Sequence, residues 1–137
     1  MEKDFKNFYF YWKSYNELTS NEIYEVLHLR QKVFVEEQNC AYVDSDFRDQ
    51  KSLHLLVYDQ NKLIGYLRLI KMDKYQDCPS IGRIVLARAY RSNGIGTQLI
   101  EEGIKKSQQL FSNIEIKISA QLLSLIHISE PTRPAII

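Results

Sequence analysis

The apolar positions change period several times along the chain, and each change marks an element. Phe8, Phe10 and Trp12 alternate with Tyr9, Tyr11 and Lys13, the two-residue period of a strand. Thr19-Ser20-Asn21-Glu22 has the form of a capping box, in which the threonine hydroxyl and the glutamate carboxylate each satisfy an orphaned N–H. Ile23, Val26, Leu27, Arg30, Val33 and Phe34 then recur at helical spacing, predicting a helix to about Glu37 with Tyr24 and His28 beside its buried stripe. Residues 39–50 lose that period and gather Asp44, Asp46 and Asp49, the mark of a loop. Residues 53–58 and 63–70 are strand-like and flank Asp59-Gln60-Asn61-Lys62, which predicts a β-hairpin with a bulge at Gly65.

Residues 80–86 predict a strand inside the sheet, and 96–110 a helix that buries Leu99, Ile100 and Ile104 with Phe111 just beyond. Glu101 with Lys105 and Glu102 with Lys106 are spaced to pair on its wet face. Ile114, Ile116, Ile118 and Ala120 alternate with Glu115, Lys117 and Ser119, which predicts a last strand. Between inner strand and helix lies Arg91-Ser92-Asn93-Gly94-Ile95-Gly96. A turn of this kind exposes unpaired N–H groups at the positive end of a helix, and its glycines let a ligand approach the main chain. An anionic group is expected to bind there.

Composition narrows the picture. A chain of 137 residues, 45% hydrophobic, supports one domain with a real core. Eighteen basic and seventeen acidic residues leave a formal charge of +1, so there is no general pull toward nucleic acid or a membrane surface. The cysteines, Cys40 and Cys78, form no CxxC pair, which gives neither a disulfide framework nor a metal site support. That cysteine usage fits a reduced cytoplasm; no apolar run reaches the ~18 residues of a membrane span and the start has no apolar signal-like stretch, so a soluble protein is expected.

The strand Ile84-Val85-Leu86, the turn 91–96 and the following helix resemble motif A of the GNAT N-acetyltransferases, Arg/Gln-x-x-Gly-x-Gly/Ala. The segments Leu29-Arg30-Gln31-Lys32-Val33-Phe34-Val35-Glu36-Glu37-Gln38-Asn39-Cys40, Asp44-x-Asp46, Ser80-Ile81-Gly82-Arg83-Ile84-Val85 and Ser119-Ala120-Gln121 resemble, in order, signatures of the ElaA-type subgroup. The resemblance implies an α/β, three-layer α-β-α fold with a mixed, mostly antiparallel sheet flanked by helices. It implies transfer of an acetyl group from acetyl-CoA to a primary amine of a small molecule or peptide, with no metal. Carried onto this chain, the amides of Ser92, Asn93, Gly94, Ile95, Gly96 and Thr97 would bind the pyrophosphate with Arg91 closing over it. Ile84, Val85 and Leu86 would line the pantetheine arm, and a backbone N–H near Leu86 would stabilise the tetrahedral oxyanion. An acyl-homoserine-lactone synthase shares a related fold, and a CoA-binding module without turnover is the non-enzymatic alternative; the Gly94-x-Gly96 turn argues for the CoA enzyme.

The chain departs from the subgroup pattern at Ala41, where proline is usual, and at Phe47, where glycine is usual. From Leu123 the sequence reads like translated sequencing-adapter DNA, so residues 1–121 are expected to be the native domain and 122–137 a foreign tail. On that reading the C-terminal helix with its acid tyrosine, and the closing strands, are missing, and the last strand keeps an unpaired side.

For the amine's proton, Glu37 is a candidate base, or else it caps or salt-bridges the first helix. Asp44, Asp46 and Asp49 either attract a cationic acceptor together or are turn residues. Arg83 could orient substrate, hold the acidic loop, or make a cross-strand pair. His54 is either a base or, as a lone histidine beside apolar neighbours more often is, a packed and hydrogen-bonded residue; Cys40 lacks a His–Asp companion for a covalent route.

Overall fold

The computed structural model describes residues 8–39, 41, 43–72, 76–112 and 114–118. Its elements are β1 (Phe8–Ser14), α1 (Ser20–Gln31) continued by a π-helical turn (Lys32–Glu37), β2 (Ser52–Asp59), β3 (Lys62–Ile70), β4 (Ser80–Leu86), α2 (Ile95–Leu110) and β5 (Lys117–Ile118). The five strands form one sheet in sequence order. β1–β2, β2–β3 and β3–β4 pair antiparallel, and β4–β5 pair parallel through the crossover helix α2. The mixed, mostly antiparallel sheet expected from the sequence is therefore present.

The two helices cover opposite faces. From α1, Val26, Leu29, Val33 and Phe34 pack on Leu56, Leu63, Tyr66 and Val85. From α2, Ile95, Leu99, Ile100 and Ile104 pack on Leu55, Val57, Ile64, Leu67, Ile81 and Ile84. Full burial of side chains this size stabilises by about 1.5–3 kcal/mol each, so the three layers hold two cores. Gly103 lets α2 close on the sheet: a Cβ there would stand 3.0 Å from Ile81 Cδ1 and 3.1 Å from Leu67 Cδ1.

Local chemistry places the ends. Thr19 caps α1 by accepting from the Glu22 amide at 3.1 Å while Glu22 accepts from the Thr19 amide at 2.8 Å, the reciprocal box expected there. Some details differ from expectation. The first strand, whose aromatic-rich sequence predicts it over residues 8–15, ends at Ser14, and Tyr15 enters a short 3-10 turn. Leu29 is buried, whereas Tyr24, 76% exposed, and His28 face solvent rather than flanking the stripe. On α2, Glu102 accepts from Gln98 and Lys106 lies over the Trp12 ring instead of the two pairing. In the hairpin Ile64 is the extra residue, one position before the expected Gly65, since Val57 pairs with Gly65 and Tyr58 with Leu63.

A second bulge lies in β4. Tyr66 pairs with Val85 and Arg68 with Gly82, so one residue of β3 faces both Arg83 and Ile84. Arg83 carries it in a left-handed conformation, φ 49. A non-glycine residue there costs ~1–3 kcal/mol and persists where neighbours over-determine it.

Candidate functional site

The glycine turn follows β4 directly. Ser92 has φ 67 and Gly94 φ 85, and Gly94 is the N-cap of α2 without a capping side chain. The first helical bond runs from the Gln98 amide to the Gly94 carbonyl at 3.1 Å. The amides of Ile95, Gly96 and Thr97 therefore have no partner inside the helix, and they sit at its positive end. Three main-chain donors are thus left without a helical partner at the head of α2.

Arg91 opens this turn and is held at two of its nitrogens. Its Nε donates to the Leu86 carbonyl at 2.9 Å, and Nη1 pairs with Glu37 Oε1 at 2.9 Å. Its Nη2 is buried with no hydrogen-bond partner. Arg88 Nη2 donates to the same Glu37 oxygen at 3.3 Å. Burial on its own would raise the Glu37 pKa, but the hydrogen bonds and charges of Arg91 and Arg88 outweigh it and hold the carboxyl below its ordinary value. Glu37 is thus salt-bridged, although its partners are Arg91 at the start of the glycine turn and Arg88 just before it, and not residues of the first helix.

The acidic loop is built differently from either expectation. Asp44 is 4% exposed and pairs with Arg30 Nε at 2.8 Å and Arg83 Nε at 3.0 Å. Asp49 pairs with Arg30 Nη1 and Arg68 Nη1, both at 2.9 Å. Asp46 receives both Nη1 and Nη2 of Arg68 at 2.9 Å and lies 3.5 Å from Arg83 Nη2. Three carboxylates thus balance three guanidinium groups from α1, β3 and β4. Burial raises the pKa values of Asp46 and Asp49, yet Arg68, the Arg48 amide and Arg83 bring Asp46 below the ordinary aspartate value, and Arg30 and Arg68 do the same for Asp49. Neither a free acidic patch nor a set of solvated turn residues, the loop is clamped, and Arg83 is one of the clamps. Arg83 Nη2 also donates to the Asp44 carbonyl at 3.1 Å, which ties the β4 bulge to the loop.

Phe47, where the subgroup usually has glycine, has φ 61 and is 87% exposed, so it takes the glycine conformation with its ring in solvent. His54 is buried between the Tyr66 hydroxyl, 2.5 Å from Nδ1, and the Asp49 carbonyl, 2.9 Å from Nε2. A carbonyl only accepts, so Nε2 carries the proton and Nδ1 accepts from Tyr66. Burial keeps the ring neutral by lowering its pKa. Cys40, Ser119, Ala120 and Gln121 and the tail lie outside the described residues. Sequence reasoning missed Arg68 and Tyr66; an arginine between Leu67 and Leu69 in a strand of otherwise largely apolar positions was the available signal. Among the described residues no group of three or more His, Cys, Asp or Glu could hold a metal ion, and no helix is long and apolar enough to cross a membrane.

Comparison with known proteins agrees with this arrangement. The chain is 38% identical over 112 residues to a UPF0039 protein of Synechocystis, covering 80% of this chain and 72% of that protein. The crystal structure of Escherichia coli ElaA superposes with a TM-score of 0.79 at 28% identity, covering 85% of this chain and 82% of that one. An acyl-CoA N-acyltransferase from Pseudomonas aeruginosa superposes with a TM-score of 0.76 at 32% identity, covering 80% and 76%. Residues 12–124 match the Acetyltransferase (GNAT) family. With strand, glycine turn and helix in place, the chain belongs to the GNAT acetyltransferase family.

Proposed function

We propose that the protein transfers an acetyl group from acetyl-CoA to a primary amine by direct attack on the thioester. Family and fold support acyl transfer from acyl-CoA. The observation that carries the finer reading is the uncapped, left-handed Gly94 at the head of α2. It leaves three amides for a diphosphate, beside an arginine whose Nη2 has no other partner.

In this reading the amides from Ser92 to Thr97 and Arg91 hold the pyrophosphate, and Ile84, Val85 and Leu86 lie along the pantetheine arm. Acetyl-CoA supplies the activated thioester. Backbone N–H near Leu86 stabilises the oxyanion, a preorganised dipole of the kind worth several kcal/mol in acyl transfer. Two roles expected from sequence change. Glu37, held ionised below its ordinary pKa by Arg91 and Arg88, is a weak base and acts as a structural partner of the turn. Asp44, Asp46 and Asp49 carry no net charge once Arg30, Arg68 and Arg83 are counted, so they shape the loop instead of attracting a cationic acceptor. Arg83 holds that loop.

Calorimetry with acetyl-CoA, run beside a thiol-release assay on a panel of primary amines, tests the proposal. Saturable binding with amine-dependent thiol release is expected. Binding without release for every amine would make the chain a CoA-binding module, and absence of binding would sink the cofactor reading.

A further inference from the structure

We infer that Glu37 is a positioning residue for acyl-CoA: it sets the Arg91 guanidinium in the orientation in which its unpartnered Nη2 meets the diphosphate. This rests on the CoA reading of the glycine turn. Three observations carry it. Arg91 is fixed at Nε by the Leu86 carbonyl and at Nη1 by Glu37, which leaves Nη2 alone for a ligand. Glu37 also holds Arg88, itself 77% exposed, so one carboxylate oxygen binds both the arginine that opens the turn and the one three residues before it. The third is the local backbone. Residues Lys32–Glu37 wind as a π-helical turn, closed by the Gln38 amide on the Val33 carbonyl at 3.3 Å.

A π turn takes one residue more than an α turn, so it rotates the downstream side chains about the helix axis by the angle of one residue, roughly 100°. Such turns are rare because their geometry is poorer, and they recur at functional sites. Here the extra residue brings Glu37, on the end of the first helix, to an arginine 54 positions later in the chain. A charged hydrogen bond of this kind is stronger than a neutral one, and fixing a long side chain in advance spares its ordering cost when the ligand binds.

The test is a double-mutant cycle on CoA binding, measured by calorimetry on the full chain: wild type, Glu37→Gln, Arg91→Ala, and both together. Glu37→Gln keeps the shape and removes the charge. It is expected to weaken CoA binding about tenfold, and to have no further effect once Arg91 is alanine. A thermal melt of each variant accompanies the titrations. Equal affinity for wild type and Glu37→Gln overturns the inference while leaving the CoA site standing. An undiminished loss in the Arg91→Ala background also overturns it, since a merely structural defect would not depend on Arg91. A wild-type chain that binds no CoA overturns both readings together.

Discussion

Asp44→Asn is the sharpest probe of the clamped loop. Asparagine keeps the shape of the side chain but places an amide donor against guanidinium donors. Arg30, 1% exposed, then loses the 2.8 Å contact that balances its charge. Removing one partner of a buried ion pair costs about 3–5 kcal/mol, because the other charge stays buried. Arg30 keeps Asp49 at 2.9 Å, which favours the lower end of that range. The second lost pair, to Arg83, adds about 1 kcal/mol, since Arg83 keeps part of its charge in solvent and retains Asp46 nearby. Arg83 is 24% exposed at its side chain. The sum is about 3–4 kcal/mol, a large share of the ~5–15 kcal/mol that holds a domain folded. In urea, with a slope of about 2 kcal/mol per molar, the middle of the usual range, the midpoint should fall by roughly 1.5–2 M. Circular dichroism at increasing urea measures it. A midpoint within about 0.3 M of wild type at unchanged slope would refute the assignment of Asp44 as the buried counter-ion of Arg30.

The remaining expectations concern the turn and pH. Gly94→Ala forces a side chain into φ 85, which should cost about 1–2 kcal/mol of stability and weaken acetyl-CoA binding together; a variant with wild-type melting and affinity would show that the turn needs no glycine. Stability should also fall in acid by two steps. Asp46 and Asp49 have folded pKa values below the ordinary 3.8, so their contribution is present above 3.8 and is lost as pH falls through the folded values. His54 is kept neutral in the fold below its ordinary 6.5, so protonation of the unfolded chain already erodes stability as pH drops under 6.5. A urea midpoint flat from pH 7 to 3 would contradict both.

What could be read from the sequence, and what could not, divides by range. The Thr19 box, β4, the glycine turn and α2 are set by neighbours a few residues apart, and they stand where their periods put them. Arg83 could be read as a holder of the acidic loop, but Arg30 and Arg68 escaped because the clamp's partners are 14 to 39 positions apart, and because an aspartate-rich loop looks the same whether solvated or paired. The π turn escaped for another reason. Val33 and Phe34 fit a buried stripe in either winding, and only the direction of Glu37 distinguishes the two. The β4 bulge was hidden by good strand composition, since Ser80–Leu86 contains nothing that announces an extra residue.

That bulge has a bearing on how this chain is compared with any relative. Ile81 and Ile84 both face α2 although they are three apart, so β4 consists of two alternations in opposite phase joined at Arg83. An alignment that treats the strand as one continuous alternation is out of step by a residue on one side of the join. It would then match outward positions with inward ones along the segment that leads into the glycine turn. Insertions and deletions in β4 are therefore not interchangeable with those in a loop, because each one exchanges the faces of every residue between itself and the next irregularity.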